Sequence, residues 1–324
     1  MASRRTGGEL SEVAGFVLKR LGALILTLLV ASFLIYGSLY LAPGDPATQL
    51  AGGRATPEVL EQIRERYQLD EPFLTRYWDW LTNVLQGDLG QSFVYRQDVS
   101  SLLAPRVGNT VLLVLYASIL ILGVGVTLGL ASALRRRLGS VVTVGTAIGM
   151  ATPAFVTAIV VITVFAVGLG WFPTLGSGEG FMDRLWHLTL PAFALAFSWV
   201  AYVTQITKAA VREELGREHV ETARSRGIPW PLIVRRHIFR NALIPITTVA
   251  GLTVAGLIAG AVVVEHAFGL NGLGSFLVQE ASQKDFAVVQ AISLLLVATF
   301  VTANAVVDLL NGVLDPRLRL KGSS

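Results

Sequence analysis

The sequence contains no cysteine. Disulfides are therefore excluded, and so is any metal site built on thiolates. Histidine is scarce as well: His187, His219, His237 and His266 are scattered without the spacing of a ligand set. Only 15% of the 324 residues are charged, whereas 53% are hydrophobic. That balance, with a mean hydropathy of +0.61, is foreign to an ordinary soluble domain and fits a polytopic membrane protein. No G-x-x-x-x-G-K-S/T loop occurs, and the glycine-rich run Gly269 to Gly274 lacks the lysine that would grip a phosphate. No metalloprotease-type His-Glu motif or Ser-His-Asp set stands out, which argues against a membrane hydrolase. The net charge of +4 is weak support for nucleic acid as a partner, because the Lys and Arg residues cluster beside apolar runs, where membrane orientation accounts for them.

What the chain has in abundance is apolar runs of spanning length. A hydrocarbon core of ~30 Å takes about 20 helical residues. Six segments meet that requirement, at residues 21–42, 110–134, 141–170, 189–208, 242–264 and 286–310, so the expected fold is an all-α bundle of about six transmembrane helices. The first run is longer than a signal-peptide core of ~7–15 residues and ends without a small-x-small site, which favours a span over a cleaved leader. Arg4, Arg5, Lys19 and Arg20, then Arg135 to Arg137, then Arg317, Arg319 and Lys321 flank these runs. By the positive-inside rule they place residues 1–20, 209–241 and 311–324 in the cytoplasm and both termini inside. The mildly acidic segment 43–109 and the segment 265–285 fall outside. Within segment 43–109, Thr56-Pro57-Glu58 predicts a helix start running to Arg66, and Tyr77, Trp78 and Trp80 predict an interfacial helix. Pro153 predicts a kink lining the protein interior, and Pro191 is expected in the first turn of its span.

Residues 209–241 are the longest polar segment of the C-terminal half. Leu215 to Arg226 predicts a short helix, Gly227 its stop, and Pro229 and Pro231 a second helix start. Arg235, Arg236, His237 and Arg240 then precede the next apolar run. A basic helix-break-helix hairpin between two spans, facing the cytoplasm, can dock onto a soluble partner.

The segment resembles the EAA loop of ABC-importer permeases: Glu221-Thr222-Ala223, three residues, Gly227, and Pro245 downstream. Thr222 replaces the middle Ala of the general pattern. Yet the runs 221–227 and 236–248 are very close to the variant of the dipeptide/oligopeptide/nickel permeases, specifically the first-permease, B-type subunit. Leu41 to Pro46, Leu69-Asp70, Tyr77-Trp78, Gly87 to Gly90, Glu265…Phe268…Gly272-Leu273-Gly274 and Leu314 to Arg317 extend the likeness over nearly the whole chain. The resemblance implies the type I importer permease fold in a bacterial inner membrane. It implies no covalent chemistry, and no cofactor bound by this chain: ATP and Mg would sit on separate ATPase subunits. Expected partners are two such subunits, a homologous second permease and an extracytoplasmic binding protein. By the same resemblance, Leu215, Glu221, Thr222, Ala223, Arg224 and Gly227 couple to the ATPase, with Arg235, Arg236, Arg240 and Pro245 flanking. Short peptides are the expected solute; nickel or another small solute is the alternative.

Elsewhere the polar residues of the fourth span, Tyr202, Thr204 and Gln205, are candidate pathway lining, although interhelical hydrogen bonds explain them equally well. Asn304 and Asp308 form a polar pair one turn apart in the sixth span. A gradient-driven secondary transporter is the rival class; it calls for internal repeats and midplane carboxylates. No convincing repeat is present, and the acidic groups lie near span ends.

Overall fold

The computed structural model describes residues 3–41, 47–48, 56–66 and 70–314. Residues 42–46 and Leu69 of the family-like runs, and the basic tail beyond Leu314, lie outside the described residues. The elements are α1 (Ser3–Tyr40), α2 (Pro57–Arg66), α3 (Phe73–Leu85), α4 (Val99–Leu134), α5 (Arg136–Ala151) and α6 (Ala154–Val161). A π-helical stretch, Ile162–Gly168, continues α6. There follow α7 (Phe181–Leu215), α8 (Glu218–Ser225), the single turn α9 (Trp230–Ile233), a second π-helical stretch (Val234–Phe239), α10 (Arg240–Ala267), α11 (Leu273–Gln283) and α12 (Phe286–Leu314). Among the described residues five helices are long and apolar enough to cross a membrane, or six if the bent pair α5–α6 is one span.

α4 and α7 form the most extensive helix pair, and glycine makes it possible. A Cβ on Gly129 would lie 2.5 Å from Cβ of Thr207 and 2.8 Å from the Thr204 carbonyl oxygen; one on Gly125 would lie 3.0 Å from Cβ of Val203. α10 uses the same device, with Gly256 against the Trp199 ring and Gly251 against Val307. Lipid is as apolar as leucine, so burial supplies no drive between spans, and association depends on such close van der Waals contact. The main core therefore sits among α4, α6, α7 and α10, around Leu113, Ile121, Leu195 and Leu257.

Among the described residues of the polar segment before α4 are two helices, α2 and α3. Thr56 caps α2 by accepting the Val59 N–H at 3.4 Å, and backbone hydrogen bonding, then Thr56, holds the Glu58 carboxyl below its ordinary value. α3 lies along α1 through an aromatic cluster: Phe33 meets Phe73 and Tyr77 edge-on, and Tyr36 packs on Trp80. The Tyr77 hydroxyl pairs with Ser32 Oγ at 2.9 Å. The opposite face of α3 leaves Leu74 and Trp78 exposed.

Two expectations need correction, and two elements extend further than expected. The kink predicted at Pro153 is a full break: α5 and α6 differ in direction by 101°. Thr152 is forced extended ahead of the proline, as ring sterics require, and Pro153 is exposed instead of lining the interior. α4 starts at Val99, ahead of the apolar run that begins at residue 110, and its polar first turns pack against α11. Pro191 lies deep inside α7, which begins at Phe181, and is not in a first turn. In segment 265–285 the glycine-rich run turns from Phe268 to Gly272, and α11 follows it directly.

Gly129→Leu should force α4 from α7 at a cost of about 1–3 kcal/mol, lowering the thermal unfolding midpoint in detergent. Gly123→Leu, where an added Cβ meets nothing within 4 Å, should leave the midpoint unchanged.

Candidate functional site

The hairpin joining α7 to α10 has an inner and an outer face. Val220 and Ala223, three residues apart on α8, are buried with Val211, Ile233, Ile238, Ala242 and Ile246 in a separate hydrophobic cluster. Leu215 and Ile228 pack against its edge. Glu221, Thr222, Arg224 and Gly227 face outward. A helix of eight residues is unstable alone, so this inward anchoring is what holds α8 in place.

Gly227 ends α8 in the left-handed conformation, with φ of 70°. Its N–H donates to the Arg224 carbonyl at 2.9 Å, and the Ile228 N–H donates to the Ala223 carbonyl at 3.2 Å. This pair of bonds is a Schellman cap, and Ile228 and Ala223 supply the apolar contact that accompanies it. The next turn is pinned from outside, where the Arg224 guanidinium stands 4.4 Å from the Trp230 ring centroid. At the other end Arg217 reaches back to Glu213 at 2.5 Å, while Glu214 takes the Asn241 amide at 3.2 Å and lies 3.4 Å from His219.

The predicted site residues thus divide. Glu221, Thr222, Arg224 and Gly227 come together on one exposed surface, with Arg235, Arg236, Arg240 and Pro245 exposed further along. Ala223 is turned inward, where it positions the helix and presents nothing to a partner. Leu215 is the last residue of α7, because the chain breaks at Gly216 and Arg217 is extended; it does not belong to α8. Helix runs from Trp230 to Ala267 without interruption, so the second arm of the hairpin continues directly into the following apolar run. Of the pathway candidates, Thr204 is sealed in the α4–α7 contact with 0% exposure and lines nothing. Gln205 donates to Thr146 on α5 at 2.5 Å, and Tyr202 packs at the edge of the main core. Asn304 bonds its own helix at Phe300, and the side chain of Asp308 lies outside the described residues.

Sequence reasoning missed a polar network at the opposite end of the bundle. Glu265, at the end of α10, is buried and accepts from Thr110 Oγ1 at 2.6 Å and from the N–H groups of Gly274 and Ser275 at 2.7 and 3.2 Å. Further along α11, buried Glu280 accepts from the Tyr95 hydroxyl at 2.9 Å. Asp285 accepts from Ser92 Oγ at 2.5 Å and the Val94 N–H at 3.2 Å. Arg106 of α4 lies over the Phe276 ring at 3.7 Å. Together these bonds staple segment 89–98 to α11 and α12. The only signal in the sequence was the family-like spacing from Glu265 to Gly274.

Burial raises the Glu280 carboxyl above 4.5, and nearby Asp285 adds to this; Tyr95 and Arg106 oppose it. Burial and Glu280 likewise raise the Tyr95 phenol, which keeps it a donor.

The sequence model described as "Binding-protein-dependent transport system inner membrane component" matches residues 125–320. A companion N-terminal model of the same transport systems matches residues 13–114. The chain is 36% identical over 311 residues to the glutathione transport system permease protein GsiC of Salmonella typhimurium, covering 94% of this chain and 99% of that protein. The corresponding protein of Escherichia coli O6:H1 is 35% identical over the same length. A Brucella abortus protein, whose name provisionally assigns it to a peptide transport system as permease, is 37% identical over 313 residues, covering 95% and 99%.

Two measurements test the site's geometry. Gly227→Ala should cost about 1–2 kcal/mol, since an L side chain resists the left-handed conformation. Hydrogen exchange across residues 218–240 should rise, whereas Gly216→Ala, where φ is −89°, should leave it unchanged. A carboxyl whose pKa is raised by folding stabilises fully below the unfolded value, and that stability is lost as pH rises through the folded value. Amide protection of residues 92–95 should therefore be greatest below pH 4.5 and decline above it. Glu280→Gln should flatten the profile.

Proposed function

We propose, from the premise that this chain belongs to the family of binding-protein-dependent transport system inner membrane components, that it forms half of an ATP-driven import pathway for short peptides. It is a multi-pass membrane permease subunit, and such systems work with further subunits. The relatives named for glutathione and for peptides support the solute class, since glutathione is itself a tripeptide. Nickel or another small solute would use the same architecture.

The hairpin lies in the cytoplasm with both termini, as its basic flanks require under the positive-inside rule. There it docks on one of two ATPase subunits, which hold the ATP and Mg; this chain binds no cofactor. A homologous second permease completes the pathway, and a substrate-binding protein docks at the opposite end. The observation that carries this reading is the two-faced α8: a rigidly anchored helix offering Glu221, Thr222 and Arg224 to a partner. A rigid helix in a cleft follows the cleft. The ATPase shifts the permease between states only to the extent that it binds the hairpin differently in each.

The test is purification of the chain from native membranes in mild detergent. A second permease and an ATPase should co-purify, and Glu221→Lys should release the ATPase while leaving the thermal midpoint of the permease unchanged, because Glu221 is exposed on the outer face of α8. Retention of the ATPase by Glu221→Lys at wild-type transport rates would sink the coupling assignment.

A further inference from the structure

Glu265 is a carboxylate with 1% exposure at the end of a membrane span, a costly placement unless its acceptors are filled. They are filled from two other elements. One oxygen takes the Thr110 hydroxyl of α4, and the other takes two N–H groups from the first turn of α11. Thr110 in turn accepts the Leu273 N–H at 2.9 Å, and its neighbour Asn109 donates to the Asn271 carbonyl at 2.8 Å. Glu265 and Thr110 thus cap a helix to which they are not joined in the helix itself, satisfying three amides that its own sequence leaves open.

The fit is tight on every side. A Cβ at Gly272 would overlap the Glu265 carboxylate, and one at Gly274 would overlap the Val262 backbone. The intervening chain is fixed as well: Gly269, with φ of 56°, makes a second Schellman cap, its N–H reaching His266 and that of Leu270 reaching the Glu265 carbonyl at 2.9 Å. Few degrees of freedom remain between α10 and α11.

We propose that Glu265 is a positioning residue that clasps α11 to α10, so that the hairpin and the far surface of the permease move as one body. The inference rests on the importer reading for its direction of use. α10 begins at the hairpin and runs about 39 Å without a break to Glu265. Beyond the clasp, α11 carries Glu280, and Asp285 follows it; these hold segment 89–98. A displacement of α8 by the ATPase therefore reaches the surface on which the binding protein sits through covalent helix and charge-assisted bonds.

The chain's lack of cysteine allows clean spin labelling. Labels at Val263→Cys and Ser282→Cys, both exposed, report the α10–α11 distance in the assembled transporter in nanodiscs. One narrow distance, identical with and without ATP-Mg, is expected. Glu265→Ala should broaden it and cut ATP-driven uptake of glutathione, used as the probe, at least about five-fold, the low end of a typical coupling energy. ATP hydrolysis without binding protein should be unchanged. Glu265→Gln, which keeps an acceptor oxygen, should retain the narrow distance; a merely space-filling role would not distinguish these variants. A narrow distance in Glu265→Ala, or a nucleotide-dependent change in the unaltered clasp, overturns the proposal. Should Glu265→Ala not accumulate, Thr110→Val decides by the same criteria. Absence of ATP hydrolysis or uptake in the wild-type complex tells against the importer reading instead, while the distances still judge the clasp.

Discussion

A backbone crossing hydrocarbon has no water to bond, so each departure from helix must satisfy its own amides and carbonyls. That constraint governs the break inside the membrane, and the bends outside it satisfy their backbone in the same way. At Thr152 and Pro153 the helix stops and restarts at once, with the Pro153 carbonyl taking the N–H groups of Val156 and Thr157. At Gly227 and at Gly269 a Schellman cap closes the helix before the chain turns. Near the hairpin the backbone loosens to a π-helical stretch over Val234–Phe239 instead of breaking. Because hydrophobic burial cannot hold one span to the next in lipid, glycines at 125, 129, 251 and 256 bring helices into direct contact.

The same constraint separates the protein's two working ends. At the hairpin end the fold is apolar within and charged without. Val220, Ala223, Ile233 and Ile238 make the core, and acidic and basic side chains cover it. At the far end polar groups are buried: Glu265, Glu280, Asp285 and Asn109 sit inside, bonded to backbone and hydroxyls. The apolar core holds α8 by burial from within and leaves its polar side chains outside. A buried carboxylate network tolerates little, because each lost partner leaves an acceptor stranded.

Much of this was legible in the sequence. Hydropathy placed the apolar runs, since twenty apolar residues permit few other fates, and the Thr56-Pro57-Glu58 helix start followed from local capping chemistry alone. The Glu221-Thr222-Ala223 motif with Gly227 identified the hairpin. What the sequence could not resolve was direction. Nothing in a string of residues says that Ala223 faces in while Thr222 faces out until Val220, three positions earlier, is seen buried beside Ile233. Thr204 reads as a polar lining residue in a list and as a packing residue once Gly129 lies against it. The Glu265 network escaped for a related reason: its partners, Thr110 and Gly274, are 155 and 9 positions away, and only the α4–α10–α11 junction unites them.

The choice of a carboxylate at that junction has a physical reason. A leucine at position 265 would fill space, but dispersion is nearly indifferent to rotation about the contact, and α11 could pivot on it. A carboxylate with one oxygen committed to α4 and the other to two consecutive amides fixes both the distance and the orientation of α11. It also matches the positive end of that helix's dipole. The required approach leaves no room for side chains at Gly272 and Gly274, so the glycines and the glutamate form one geometric unit. Under the proposed coupling, a displacement passed along α10 needs stiffness where the helix turns, and at this turn the hydrogen bonds to Glu265 supply it.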